Sequence, residues 1–413
     1  MNQVRKRMRR GLALLLAVLQ VMLVFAVVPV SAADDAATSG TCGENLTWTL
    51  SGGTLTISGT GNMQNYDWGS APWHSSADTI RSVVMEDGVT TIGEAAFWRC
   101  SGLNSVTIPE GVTSIGYFAF YGCSSLTSVD IPEGITYIER YAFRRCNSLT
   151  SVTIPASVTF IGAFAFSDCN LRSITVAKGN TSYSTEGGVL FNKDKTTLCS
   201  YGSDQTKYQI PDTVTTIGEG AFSDCSRLSS IEIPNSVTTI AEYAFEGCNS
   251  LSSIELPGSV TVIGVRAFSD CSSLNEINIP NGVTEVQSGT FAGCSSLASI
   301  ELPSSVKAVG TSAFSSCSSL EYIIITNGMK EIRDAAFSYC TNLKDIYYTG
   351  SEEEWATIYI DSGNSSGPLY NATIHYNSTG PGAEYDSPQT SVWYQVWGSG
   401  DRDYTGDVTL QVG

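Results

Sequence analysis

The residues most often used for catalysis and metal binding are scarce or poorly placed in this sequence. Of its 413 residues only two are histidines, His74 and His375, and neither has a cysteine or another histidine at metal-ligand spacing. The shortage of histidine also argues against a Ser-His-Asp or Cys-His arrangement. No Gly-x-Ser-x-Gly elbow, phosphate loop or dinucleotide fingerprint occurs in a suitable context. We therefore expect no metal, no cofactor and no enzymatic activity.

Carboxylates are the one chemically active group that is abundant, with 40 Asp and Glu residues in the chain. Glu232, Glu255 and Glu301 share one outward slot of a repeating pattern, in which Asn278 also stands. Paired carboxylates could hydrolyse glycosides. A solvated acidic face explains the same pattern more simply, so a glycan-active enzyme is the least favoured function.

Aromatic and basic residues are concentrated between Trp98 and Phe164, where later repeats carry Ser, Glu, Asp, Gly or Ala. Tyr, Trp and Arg are the residues most often found as interface hot spots, and stacked Arg–aromatic contacts are favourable. The candidate binding residues are Trp98, Arg99, Tyr117, Tyr121, Tyr137, Arg140, Arg144 and Arg145. The neighbouring Phe118, Tyr141 and Phe164 are expected to be partly buried packing residues. The competing explanation is that these aromatic and arginine residues arose by sequence drift and lie flat on a convex face without binding a ligand.

These residues are positioned by a repeat of 23 residues, which cysteine makes visible. Phe stands three places before each repeated Cys in both sets, and Leu and Pro keep the same step. The repeated cysteines, which we call the ladder cysteines, are Cys100, Cys123, Cys146, Cys169, Cys225, Cys248, Cys271, Cys294, Cys317 and Cys340. Such a period is the signature of a stacked-repeat architecture.

One repeat shows what each coil contains. Val129 and Ile131 alternate with polar residues, which predicts a short strand that Pro132 ends. A second extended segment and an Ala-Phe-x-x-Cys segment follow, and the latter fits one helical or 3₁₀ turn. The fold class is therefore a leucine-rich-repeat solenoid with short parallel β-strands, one helical or 3₁₀ turn per coil and β-rich caps.

The ladder cysteines are expected to be buried free thiols and not disulfides. Equivalent residues of neighbouring coils have nearly parallel Cα–Cβ directions, whereas a disulfide needs a crossed geometry. Buried cysteine also packs as a small hydrophobe. Cys42 and Cys199 lie off the ladder and are not paired by this argument.

The motif Leu-x-Ser-Val-x-Ile-Pro-x-x-Val-x-x-Ile-Gly-x-x-Ala-Phe-x-x-Cys resembles the BspA-like class of bacterial leucine-rich repeats over about residues 80–348. The resemblance implies a secreted or surface protein that adheres to proteins, cells or glycans, without fixing a ligand. A passive spacer that presents another module is the alternative function. We expect the partner to be a protein or glycan on a host or neighbouring cell.

The domain organisation follows from where the repeat begins, breaks and ends. Residues 1–33 have a basic head, an apolar run and small residues at Ala32 and Ala33, which predicts a cleaved secretory signal. We assign 34–79 to an N-terminal β cap, 80–348 to the solenoid and 349–377 to a C-terminal cap. Residues 378–390 are expected to be a linker, and 391–413 a short strand-like tail or a truncated module. Within the solenoid, 171–204 is an irregular unit with a predicted β-hairpin that protrudes from the stack.

Charge limits the partners. The net charge of the whole chain is −18, and loss of the basic signal would make it more negative. Such a chain repels nucleic acid and anionic lipid, so we expect neither as a partner. After signal removal we expect a monomer that does not insert into membranes.

Overall fold

The computed structural model describes residues 38–364 and 367–382. The predicted signal 1–33, the tail 391–413 and most of the predicted linker lie outside the described residues. The described chain is a β-solenoid of about 12 turns with parallel strands, as the repeat predicted. It contains very little helix, because the Ala-Phe-x-x-Cys segments form turns and not the helical or 3₁₀ turn that was expected. Within these residues, none of the helices has the length and apolar character needed to cross a membrane.

The first ladder contains the strand that opens most coils. The coil beginning at Leu126 is an exception, since residues 129–131 form no strand although the sequence predicted one there. At its N-terminal end the hairpin of Leu46–Ser51 and Thr54–Gly59 is antiparallel, and Thr38–Thr41 lies at the edge of the same sheet. The following strands run parallel because each coil enters in the same direction. They are Ser82–Met85, Ser105–Thr107, Ser151–Ile154, Ser173–Val176, Lys207–Gln209, Ser230–Glu232, Ser253–Ile254, Glu276–Ile277, Ser299–Leu302, Tyr322–Ile325, Asp345–Tyr348 and Thr373–His375.

The second ladder contains the extended segment that follows the proline of each repeat, and it also runs parallel from coil to coil. Most of these strands are two residues long, because a turn follows immediately. They are Gly61–Asn62, Val89–Ile92, Ser114–Ile115, Tyr137–Ile138, Phe160–Ile161, Thr197–Ser200, Thr216–Ile217, Thr239–Ile240, Val262–Ile263, Glu285–Val286, Ala308–Val309, Glu331–Ile332 and Tyr359–Ile360.

The third side of the coil is a stack of turns. The Phe143 N–H donates to the Ala165 carbonyl of the next coil at 2.8 Å. The following residue, Arg144, donates instead to Tyr141 within its own coil at 3.1 Å. This alternation recurs from coil to coil and requires left-handed backbone at two positions, seen as φ of +60° at Tyr141 and +63° at Arg145. Each segment is therefore a pair of tight turns whose bonds tie neighbouring coils together.

Short helices occur only near the ends of the described chain. A 3₁₀ helix, His74–Ser76, belongs to the N-terminal cap, and a second, Ser362–Asn364, belongs to the C-terminal cap. Helix α1, Glu352–Trp355, begins at a capping box formed by Ser351 and Glu354, and α2 is Pro368–Asn371.

The core is a column of stacked rings. From Trp73 through Phe97 to Phe166, and again from Phe222 to Phe337, neighbouring centroids are 5.0–5.8 Å apart. Beside it, ladder thiols donate to the phenylalanine carbonyl of the preceding coil, as Cys146 Sγ does to Phe120 O at 3.2 Å. All twelve cysteines are free thiols.

The irregular unit 171–204 corrects one prediction. Its three antiparallel strands, Tyr183–Glu186, Val189–Asn192 and Thr197–Ser200, do not protrude. Val189, Leu190, Phe191 and Leu198 are fully buried, and Thr197–Ser200 continues the second ladder. Tyr201 restarts the ring column against Phe222 at 5.0 Å. Burial of its apolar strand residues keeps this unit inside the stack, where it separates an N-terminal core cluster from a C-terminal one.

Candidate functional site

The turn segments form one continuous surface, which we call the turn face. It presents four residues of each coil. We name them by their distance in sequence before the ladder cysteine, as the six-before, five-before, two-before and one-before residues. The five-before residues Phe118, Tyr141 and Phe164 stack on one another, with centroids 4.8 and 5.0 Å apart. Phe164 is buried, whereas Phe118 and Tyr141 are half-buried, so this aromatic row is packing with one exposed edge, as the sequence predicted.

Two of the predicted binding residues lie directly against this row. Tyr121 meets the Phe118 ring edge-on at 5.2 Å, and Tyr117 meets it at 4.2 Å. Both tyrosines are half-buried. Partial burial raises the pKa of Tyr117, so its hydroxyl stays protonated and can donate a hydrogen bond. Tyr117 and Tyr121 therefore offer ring edges and hydroxyl groups on a preformed aromatic base.

Trp98 and Arg99 sit where the N-terminal cap meets the first coil. The Trp98 ring lies 5.5 Å from His74 of the cap. Arg99, which is exposed, places its guanidinium 4.7 Å from the Trp98 centroid. One side of Trp98 is thus covered by the cap and another by Arg99, which fixes its orientation.

The other three arginines are engaged in ion pairs. Arg140 binds Glu219 through two hydrogen bonds, one of 3.0 Å. Arg145 pairs with Asp168 of the next coil at 3.0 Å. Arg140 reaches over the intervening coil, because Ala163 is small at the equivalent position. These side chains stabilise the stack as well as contributing charge to the turn face.

Arg144 is the most buried arginine of the group, with a side chain 18% exposed. It donates to Asp224 at 2.8 Å and lies 3.9 Å from Glu246, both beyond the irregular unit. Burial alone would lower the pKa of Arg144, but the hydrogen bond and charge of Asp224 reverse this and raise it. Desolvation raises the pKa of Glu246, and Arg144 opposes that rise. Arg144 therefore joins the two core clusters electrostatically.

Tyr137 lies apart from the turn face, on the second ladder. It pairs in register with Phe160, and the two rings are 5.8 Å apart. Their exposed fractions are 48% and 41%, so they form a small aromatic patch of their own. The structure thus brings Trp98, Arg99, Tyr117, Tyr121, Arg140, Arg144 and Arg145 onto one face and places Tyr137 on another.

Sequence reasoning missed two residues of the turn face. Trp68, in the cap, is 66% exposed and meets Phe118 edge-on at 5.5 Å. Ala95 occupies the five-before position of the first coil, where the next three coils carry aromatic rings. The repeat alignment could have identified Ala95, because it is an alanine at a position where the next three coils carry aromatic residues. It could not have identified Trp68, which lies outside the repeat.

Other concavities and acidic groups are less suited to a site. A cleft of about 340 Å³ separates the core clusters and is lined by polar residues such as Asp168, Asp204 and Asp224. Glu232, Glu255 and Glu301 are exposed along an open strand surface, not in a cleft. Across residues 38–364 and 367–382, no group of three His, Cys, Asp or Glu side chains is arranged to hold a metal ion.

Two parallel ladders, a stack of turns and a ring column repeating every 23 residues define a leucine-rich-repeat solenoid. The family model for the BspA type leucine rich repeat region matches in six copies, over residues 74–187, 197–297 and 273–361. The chain therefore belongs to the BspA-type leucine-rich-repeat family, as its motif predicted. No curated protein matches the sequence significantly.

The chain is also similar to several solved structures. A leucine-rich repeat protein from Eubacterium ventriosum is 30% identical, with a TM-score of 0.66, and the match covers 79% of this chain and 94% of that one. The pneumococcal vaccine antigen PcpA is 19% identical with a TM-score of 0.53, over 83% of this chain and 97% of that one, which shows the fold alone. A leucine-rich cell surface protein from Faecalibacterium prausnitzii is 28% identical over 80% of this chain and 100% of that one, with a TM-score of 0.48.

Proposed function

We propose that this protein is a secreted or cell-surface recognition module, which binds a protein or glycan ligand through the turn face of its first coils without catalysis. One observation carries the proposal. Exposed and half-buried aromatic side chains, namely Trp68, Trp98, Tyr117 and Tyr121, are gathered on one rigid face of an otherwise strongly acidic chain. Aromatic anchors on a preorganised surface bind with little loss of conformational entropy.

A spacer would not need this surface. In the C-terminal cluster the two-before positions are mostly Ser or Ala, such as Ser269, Ala292 and Ser315. Those coils stack equally well, so the aromatic residues of the first coils are not required for stacking. This difference supports recognition over the spacer function.

The test is an array of oligosaccharides and host matrix proteins probed with the full chain. The double variant W98A/Y121A should lose binding to any captured ligand by at least tenfold. Y339A is the matched control, because Tyr339 is 74% exposed on the turn face of the last regular coil. Equal binding by wild type and W98A/Y121A to every ligand would contradict the proposal. A separate fractionation of producing cells tests the predicted export.

A further inference from the structure

The turn face has a groove over Ala95. Phe118, Tyr141 and Phe164 fill the five-before position with stacked rings. Ala95 has the same left-handed backbone, with φ of +49° against +56° at Phe118, but it carries only a methyl group. The aromatic row therefore stops one coil before the cap and leaves a gap.

Trp68 of the cap closes the far side of this gap. Its ring meets Phe118 edge-on, with an interplanar angle of 82°, so the two rings form adjoining walls and not a filled stack. Ala95 is 3% exposed and forms the floor. The resulting concavity has a volume of about 410 Å³ and is lined also by Tyr117, Asp67 and Glu94. That volume is within the range of ~300–1,000 Å³ common for small-ligand sites.

A second, more polar concavity adjoins it. This neighbour has a volume of about 570 Å³ and shares Glu94 and Tyr117 with the first. Asn65, Ser114 and Glu139 are among its lining residues. Asn65 accepts a hydrogen bond from the Glu94 N–H at 2.9 Å, which holds the cap against the first coil where the two concavities meet. An elongated ligand can therefore lie with one part on aromatic rings and the next among amide, hydroxyl and carboxylate groups.

From this arrangement we infer that the groove over Ala95 binds a neutral oligosaccharide; the inference rests on the proposed recognition function and names its ligand class. The exposed ring of Trp68 suits the apolar face of a sugar ring, while Asp67, Glu94 and Glu139 accept hydrogen bonds from sugar hydroxyls. The carboxylates repel phosphates and acidic sugars. The same carboxylates attract a cationic peptide, which is therefore the competing ligand that the test must separate from the oligosaccharide.

The test replaces Ala95 by phenylalanine, which is the residue that the next coil carries at the equivalent position, Phe118. In A95F the new ring should extend the row of Phe118, Tyr141 and Phe164 and occupy the gap. A335F is the matched control, because Ala335 is the five-before residue of the last regular coil and has φ of +52°. W68A removes a wall at an exposed position and keeps the test valid if A95F fails to fold.

The probes are maltohexaose, cellohexaose, xylohexaose, N-acetylchitohexaose and hexalysine, titrated into the full chain. We expect at least one hexasaccharide to bind, with affinity unchanged in 0.5 M NaCl, reduced at least tenfold in A95F and W68A, and kept in A335F. Binding of hexalysine alone, or of no hexasaccharide, would overturn the inference.

The two proposals fail in different ways. If an array ligand is lost in W98A/Y121A but kept in A95F and W68A, the recognition function stands and the oligosaccharide groove is wrong. If no ligand binds to the wild-type chain at all, both are wrong.

Discussion

The N-terminal and C-terminal core clusters have the same ladders and ring column but different turn faces. At the five-before position the first cluster carries Phe118, Tyr141 and Phe164, and the second carries a mixture that includes Gly220, Gly289 and Ser312. All of these residues have positive φ. The backbone is thus common to both clusters, and only the side chains on the turn face differ.

The left-handed positions show that the difference has an energetic cost. A bulky residue in this conformation is disfavoured by roughly 1–2 kcal/mol relative to glycine. The one-before position is mixed in both clusters, with Arg99, Gly122 and Arg145 in the first, and Gly247, Gly293 and Tyr339 among those in the second, all at positive φ. Ring stacking and ion pairs offset this strain.

The largest expected effect follows from the buried thiols, and it should separate the two clusters. Burial raises the pKa of Cys100 and Cys271 to about 12, and that of Cys123 and Cys248 well above its ordinary value. A raised thiol pKa gives stability that is complete below the unfolded-state pKa of ~8.5 and lost as pH rises toward the folded-state pKa, at ~1.4 kcal/mol per pH unit per thiol.

The C-terminal cluster holds more such ladder thiols and should therefore lose more stability than the N-terminal cluster between pH 7 and pH 10. Guanidinium titrations in reducing buffer at pH 7 and pH 10, read by pulse proteolysis with fragment identification, measure this. The same midpoint at both pH values would show that the thiols are not buried. A larger fall of the midpoint for residues 42–190 than for residues 205–374 would contradict the prediction.

Repeat spacing explains how much of this could be read from the sequence. The 23-residue step predicts which residues stack, including Phe120 on Phe143 and Cys146 beside Phe120. It could not predict that Arg144 meets Asp224, because the irregular unit breaks the step and the pair is 80 positions apart. The burial of that unit was also missed, since its apolar runs resemble those of an exposed hairpin.

The ring column gives the next largest effect and tests whether the clusters unfold separately. F120A in the first cluster and F268A in the second remove fully buried rings at equivalent positions. Each should cost about 3–5 kcal/mol, the usual range for Phe to Ala in a core. Since each coil contacts mainly its neighbours, hydrogen exchange should accelerate mostly within the altered cluster. Equal acceleration in both clusters for both variants would mean that the solenoid unfolds as a single unit.

The smallest effect concerns the ion pairs across the irregular unit. R144A leaves Asp224 and Glu246 facing each other and should lower the free energy of unfolding by about 2 kcal/mol, between the values for exposed and buried pairs. R145A is the matched control, because its pair with Asp168 is more exposed and lies within the first cluster. A loss in R145A equal to that in R144A would show that burial of the pair has no effect.

The destabilisation caused by R144A should depend on pH, and the direction of that dependence can be predicted. Desolvation already raises the pKa of Glu246, and removal of the Arg144 charge should raise it further. A carboxyl group whose pKa is raised in the folded state destabilises the fold least below its unfolded-state pKa of ~4.3. It destabilises the fold increasingly as pH rises above that value. The destabilisation of R144A relative to wild type should therefore be larger at pH 7 than at pH 5 in urea titrations. A loss that grows on acidification would mean that the pKa of Glu246 does not depend on Arg144.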